Sequence, residues 1–262
     1  MNKYETHEQV RGKLARPKFY ISFPDNPEEN PTYYFDAETG AAVTNQFVYA
    51  DGHWYYFGKD GKALLFDQVI NGQHLYFDAN GRQVKGGFVT NTDGSRSFYH
   101  WNTGDKLVST FFATGHDRWY YADDRGNVVT GAQVINGQKL FFDTDGKQVK
   151  GAFATNANGS RSYYHWNTGN KLVSTFFTSG DNNWYYADAK GEVVVGEQTI
   201  NGQHLYFDQT GKQVKGATAA NPDGSISYYD VHTGEKAINR WVKIPSGQWV
   251  YFNAQGKGYV SN

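Results

Sequence analysis

The chain repeats itself every 65 residues, and that period constrains its fold more than any other feature. Residues 68–132 begin QVINGQHLYFDANGRQVKGGFVTN, residues 133–197 begin QVINGQKLFFDTDGKQVKGAFATN, and residues 198–262 begin QTINGQHLYFDQTGKQVKGATAAN. The first two copies are identical at 44 of 65 positions without a gap. A partial copy over 19–67 precedes them, readable from Tyr33-Tyr34-Phe35 onward, with a loop at Asp51-Gly52-His53 one residue shorter than Gly115-His116-Asp117-Arg118. Residues 1–18 form an N-terminal tail outside the repeat, with at most a turn or two of helix before Pro17. A period of this length marks an array whose units bury their apolar surface only against their neighbours.

Each module contains a smaller repeat. Gly81, Gly104, Gly126, Gly146, Gly169, Gly191, Gly211, Gly234 and Gly256 recur at intervals of 20, 22 or 23 residues, and Gly40 and Gly61 extend the series upstream. Before each glycine stand aromatic or apolar residues and an Asp/Asn-rich turn, and after it a short β-branched run. This reads as a β-hairpin turning at the glycine, about 21 residues long and repeated eleven times. A lone two-stranded ribbon is marginal in water, so the hairpins must stack. The expected fold is all-β, a β-solenoid of tandem stacked β-hairpins.

Period-2 alternation sorts the side chains of the first hairpin of a module. Leu75, Phe77 and Val84 are expected to form the core. His74 and Tyr76, with Gln83 and Lys85, are expected on the opposite, solvent-facing ledge. The later copies repeat the group as Phe141, Gln148 and Lys150, then Tyr206, Gln213 and Lys215. At the matching positions the second hairpin carries Lys106 and Val108 and the third Val128 and Thr130, so the Gln-x-Lys pair occurs once per module. An aromatic ring can stack on the C–H face of a sugar, while an amide and an ammonium meet its hydroxyl rim. Three copies in register favour three binding sites. The plainer alternative is that Tyr76 only packs and Lys85 only keeps a sheet edge soluble. Trp101 and Trp166 are expected to pack between hairpins.

Other classes find less support. Lys+Arg number 25 and Asp+Glu 26, a net charge of −1 that gives no basic surface for nucleic acid. With no cysteine there is neither a disulfide framework nor a thiolate site, and no apolar run is long enough to span a membrane. The first eighteen residues lack the apolar stretch of a signal peptide. The eight histidines form no metal-binding spacing, and the carboxylates fall mainly in turns (Asp78, Asp123, Asp124, Asp143, Asp208), where turn chemistry explains them. No catalytic residue, metal or cofactor is expected.

The phrases INGxxxYFDxxGxQVKG and TNxDGSxxYY resemble the glucan-binding repeats that flank the catalytic region of glucansucrases, the dextransucrase-type enzymes of lactic acid bacteria. The resemblance covers residues 19–262. It implies a non-catalytic module that binds α-glucan, dextran-like and rich in α-1,6 links, at several sites. It implies isomalto-oligosaccharides as short ligands, a monomer, and a place outside the cell or on a bacterial surface. It also implies sugar pockets at Tyr76, Gln83 and Lys85 and at Tyr206, Gln213 and Lys215. In the middle copy Phe141 stands for tyrosine beside Gln148 and Lys150, and Ala220 replaces the hydroxyl of Thr90 and Thr155. Two alternatives stay open. One is a choline or teichoic-acid repeat, whose cage resembles sites with a tryptophan directly after the closing glycine; here Gly87, Ala132 and Ala152 hold that place, and Trp241 is the remaining candidate ring. The other is a structural spacer or toxin-like receptor-binding arm.

Overall fold

A computed structural model describes residues 31–36 and 38–260. The 1–18 tail, its possible turn of helix and the start of the 19–67 partial module lie outside the described residues. Within them every regular element is a strand, twenty in all, joined as ten two-stranded antiparallel sheets. The hairpin β1 (Gln46–Ala50)–β2 (His53–Phe57) closes the partial module. The first full module holds β3 (Phe66–Ile70)–β4 (Gln73–Phe77), β5 (Gly87–Thr90)–β6 (Arg96–Tyr99) and β7 (Thr110–Ala113)–β8 (Trp119–Ala122). The second holds β9 (Gly131–Ile135)–β10 (Gln138–Phe142), β11 (Ala152–Thr155)–β12 (Arg161–Tyr164) and β13 (Thr175–Thr178)–β14 (Trp184–Ala187). The third holds β15 (Gly196–Ile200)–β16 (Gln203–Phe207), β17 (Ala217–Ala220)–β18 (Ile226–Tyr229) and β19 (Arg240–Lys243)–β20 (Trp249–Phe252). The joints at 67/68, 132/133 and 197/198 fall inside β3, at β9 and inside β15, so the hairpins start slightly before the repeated phrase. The chain divides into two compact units between Val129 and Thr130.

The hairpins turn elsewhere than at the regular glycine series. β3 and β4 pair from Phe66–Phe77 to Ile70–Gln73 across Asn71-Gly72. Both turn residues have positive φ, 52° and 81°, the two-residue geometry that Asn-Gly favours because it matches the strand twist. The Asp78–Gly81 turn lies between hairpins instead. Asp78 Oδ1 accepts from the amides of Asn80 and Arg82, and the exit segment behind it makes only a single bridge, Phe77 opposite Gln83. That segment divides its backbone bonds. Val84 N donates to Tyr76 O of its own hairpin, and Gln83 N donates to Trp54 O of the hairpin before. Lys106 N likewise reaches His74 O, Lys171 N reaches Lys139 O, and Gln213 N reaches Trp184 O. These exit segments thus latch one hairpin to its predecessor.

This register corrects the expected faces. Residues directly opposite in an antiparallel pair share a face, so Gln83 lies on the side of Phe77 and Val84 on the side of Tyr76. Leu75 and Phe77 are fully buried as expected, whereas Val84 is half-buried. Core clusters form where hairpins stack: Ile70, Leu75 and Phe77 pack on Phe47, Tyr56 and Leu64, and Ile200, Leu205 and Phe207 pack on Phe176, Tyr186 and Val194. The second hairpin of each module is tied by polar groups. Asn91 Nδ2 donates to Ser95 and Ser97, Asn156 to Ser160 and Ser162, and Asn221 to Ser225 and Ser227. Ser97, Ser162 and Ser227 are fully buried, so each asparagine supplies the partner that a buried hydroxyl needs.

Candidate functional site

The Gln-x-Lys pair is built by the latch. Anchored through Gln83 N, the exit segment sends both side chains toward the turn that follows β6. Gln83 Nε2 donates to Thr103 O at 3.3 Å, and Lys85 Nζ donates to Asn102 O at 3.0 Å. The third module repeats this with Gln213 on Thr233 O at 3.4 Å and Lys215 on His232 O at 3.3 Å. In the second, Gln148 is nearly buried, at 7% exposure, and donates to Thr168 O at 3.4 Å; Lys150 follows it on the same exit segment. The turn is shaped to receive them. His100 Nδ1 lies 3.2 Å from the Asn102 amide and 3.3 Å from that of Thr103, and Asp230 takes the same place in the third module.

A tryptophan completes the group. Lys85 Nζ lies 5.4 Å from the centre of the Trp54 ring, and Lys215 Nζ lies 5.8 Å from that of Trp184. The quadrupole of the indole face attracts the ammonium, which holds a flexible side chain over the ring. Trp54, Trp119, Trp184 and Trp249 recur at the 65-residue period, and all four rings are exposed. Sequence reasoning passed over them because it treated each hairpin as a separate ledge, although their spacing was a usable signal. The expected packing role of Trp101 and Trp166 is overturned: they are 58% and 71% exposed. Each lies in the turn just past its strand and rests beside the preceding histidine, Trp101 on His100 at 4.4 Å and Trp166 on His165 at 5.7 Å. Contact with the neighbouring segment is made near their Cβ atoms, next to Gly86 and Gly151.

The structure separates the strand aromatics from the Gln-x-Lys pair. Tyr76, Phe141 and Tyr206 are half-buried on the other face of the ribbon. Their ring centres lie 5.8, 5.7 and 5.5 Å from those of the buried Tyr99, Tyr164 and Tyr229. Phenylalanine at 141 keeps this packing. Burial first, then the charges of Asp67 and Asp78, raise the Tyr76 phenol above its ordinary pKa. Thr90, Thr155 and Ala220 are exposed on β5, β11 and β17. Among the described residues no three His, Asp or Glu side chains gather where they could hold a metal, and no helix is long and apolar enough to cross a membrane.

The choline-binding repeat pattern matches residues 68–111, 129–176 and 194–241, more than half of the chain. The chain belongs to the choline-binding repeat family. A putative cell wall binding repeat matches 45–63, 174–193 and 239–257 in addition. Two solved structures share the fold of this chain. Choline-binding protein F from Streptococcus pneumoniae superposes with a TM-score of 0.61 at 20% identity, over 89% of this chain and 90% of its own. CbpJ from Streptococcus pneumoniae TIGR4 superposes with a TM-score of 0.61 at 18% identity, over 92% and 93%. Higher identity comes from enzymes, as the repeated phrases led us to expect. Glucosyltransferase-S of Streptococcus mutans is 40% identical over 85% of this chain, and Glucosyltransferase-I of Streptococcus downei is 38% identical over 83%. The chain spans 15% and 17% of those two relatives, so its repeats correspond to one segment of a much longer enzyme.

Proposed function

We propose that the chain is a non-catalytic α-glucan-binding module, outside the cell or on a bacterial surface, that acts as a monomer and engages dextran-like chains at several points. The carrying observation is the recurrence in two modules of an exposed indole with a lysine over it and a glutamine beside it, Trp54–Lys85–Gln83 and Trp184–Lys215–Gln213. A pyranose can stack on the indole edge or free face while the ammonium, with three donors, reaches its hydroxyls. Similarity to glucosyltransferases supports α-glucan as the polymer, and the preference for α-1,6 links follows from the resemblance of the phrases. Tyr76, Phe141 and Tyr206 support these sites from behind by ordering the hairpins.

Single sites of this polarity are weak, because sugar hydroxyls exchange water for protein at little net gain. Several sites in one chain make later contacts intramolecular and raise retention by ~10²–10⁴. Affinity electrophoresis through gels containing dextran or starch tests the reading. Dextran should retard the protein far more than isomaltotriose competes, and Lys85→Ala followed by Lys215→Ala should lower retention in steps. Unretarded migration in every gel sinks it. One observation favours choline as a second reading: in the last hairpin Trp241 and Tyr251 are both exposed with ring centres 5.6 Å apart. At Trp54 and Trp184 a quaternary ammonium would meet a face already held by lysine, so a choline titration should perturb Trp241 alone.

A further inference from the structure

On the face opposite Gln83 lies a groove that the repeated phrase does not announce. In the first module it has a volume of about 470 Å³ and is lined by Asp67, Gln68, His74, Asp93, Lys106 and Arg125, among others. In the third a groove of the same volume is lined by Glu197, Gln198, His204, Tyr229 and Lys236. The two are built alike. Asp67 is opposite Tyr76 and Val69 opposite His74, which sets carboxylate and imidazole on one face. Glu197 opposite Tyr206 and Thr199 opposite His204 do the same. A buried tyrosine from the next hairpin orients each carboxylate: Tyr99 OH donates to Asp67 Oδ1 at 3.0 Å, and Tyr229 OH donates to Glu197 Oε1 at 3.0 Å. Lys236 Nζ shares that same Oε1 at 2.6 Å.

The second module lacks the arrangement. Ala132 is the residue opposite Phe141, and Lys139 stands where the others have histidine. Tyr164 therefore has no carboxylate across from it, yet its hydroxyl is not a buried atom without a partner. The tyrosine does not require the carboxylate, which leaves the carboxylates of the first and third modules available for another task. We propose that these two grooves are a second class of sugar-binding site, in which the tyrosine-held carboxylate grips adjacent hydroxyls of a neutral glycan, present in modules one and three and absent from module two. An ionised carboxylate only accepts hydrogen bonds and each of its oxygens carries two lone-pair sites, so a single uncommitted oxygen can accept from two neighbouring hydroxyls. Tyrosine and lysine use Oε1 of Glu197, and tyrosine uses Oδ1 of Asp67, so the other oxygen of each is the one offered. Imidazole and ammonium on the rim supply donors for further hydroxyls. Acidic and basic groups balance in both grooves, which suits an uncharged ligand.

The inference goes beyond the tryptophan–lysine sites, and isomaltotriose titrated into the full chain with amide and indole NMR separates the two. Amides of 67–74 and 197–204 should shift, while those of 132–139 should not. Asp67→Asn, which keeps an acceptor for Tyr99, should weaken the first groove about tenfold and spare the third. Ala132→Asp should give segment 132–139 a response that wild type lacks, an outcome no folding defect can imitate. If the Trp54 and Trp184 indoles respond while 67–74 and 197–204 stay silent, the grooves are not sugar sites and the proposed function stands. If neither isomaltotriose nor dextran moves any resonance, both readings fall.

Discussion

At the scale of single residues, the Gln-x-Lys arrangement depends on a glycine that touches no ligand in the proposed site. Gly104 is buried at φ 75°, and a Cβ there would run into Gln83 Nε2 and sit 3.3 Å from Lys85 Cγ. Gly169 and Gly234 meet Gln148 and Gln213 in the same way. Gly104→Ala should therefore destabilise the chain by about 2 kcal/mol, from left-handed strain together with the loss of one hydrogen bond. It should also weaken sugar binding at the Trp54 site, since Lys85 must shift with Gln83. Denaturant melts and a trisaccharide titration check both effects. A loss below ~0.5 kcal/mol with unchanged binding would mean that the amide relocates freely.

At the scale of the element, hairpin β3–β4 rests on Asn71-Gly72, where a Cβ on Gly72 would meet nothing within 4 Å. Gly72→Ala thus tests backbone conformation alone and should cost ~1–2 kcal/mol. Because repeats contact only their neighbours, faster amide exchange should stay within β3–β4 and the adjoining hairpins, leaving β15–β16 protected. Uniform loss of protection would contradict a modular array. The hairpin architecture and the burial of Leu75 and Phe77 were legible in the sequence, because alternation and glycine spacing are local signals; the count was not, since eleven glycine turns stand against ten hairpins among the described residues. The true hairpin tip was not, since Asn71-Gly72 and Asp78–Gly81 both read as turns. What distinguishes them is that Gln83 N bonds Trp54 O, a partner that local pattern cannot reveal. Placing the tip at Gly81 set Gln83 and Lys85 beside Tyr76 instead of beside Trp54. The residue types at the site were readable; the hairpin that supplies the ring was not.

At the scale of the whole molecule, the tyrosine-rich stack makes stability sensitive to alkali. Burial is the first cause raising the phenol pKa at Tyr34, Tyr76, Tyr99, Tyr163, Tyr164, Tyr185 and Tyr229. A phenol that resists ionisation in the fold but ionises near pH ~10 when unfolded stabilises the fold fully below that pH. The contribution drains away as pH rises above it toward the raised folded values. The melting temperature should hold from pH 7 to 9 and fall steeply beyond ~10; a flat profile to pH 11 would refute the buried-phenol account. The latch between hairpins also bears on how such a chain changes over generations. Gln83 N reaches Trp54 O and Gln213 N reaches Trp184 O at the same offset, so an in-frame duplication of one 65-residue stretch creates a copy whose open donors and acceptors find familiar counterparts on both sides. Copy number can drift by unequal crossing-over without inventing an interface. Duplicating only the first hairpin of a module would instead set the second Gln-x-Lys segment against a neighbour lacking that tryptophan, so adding a complete site takes a whole module.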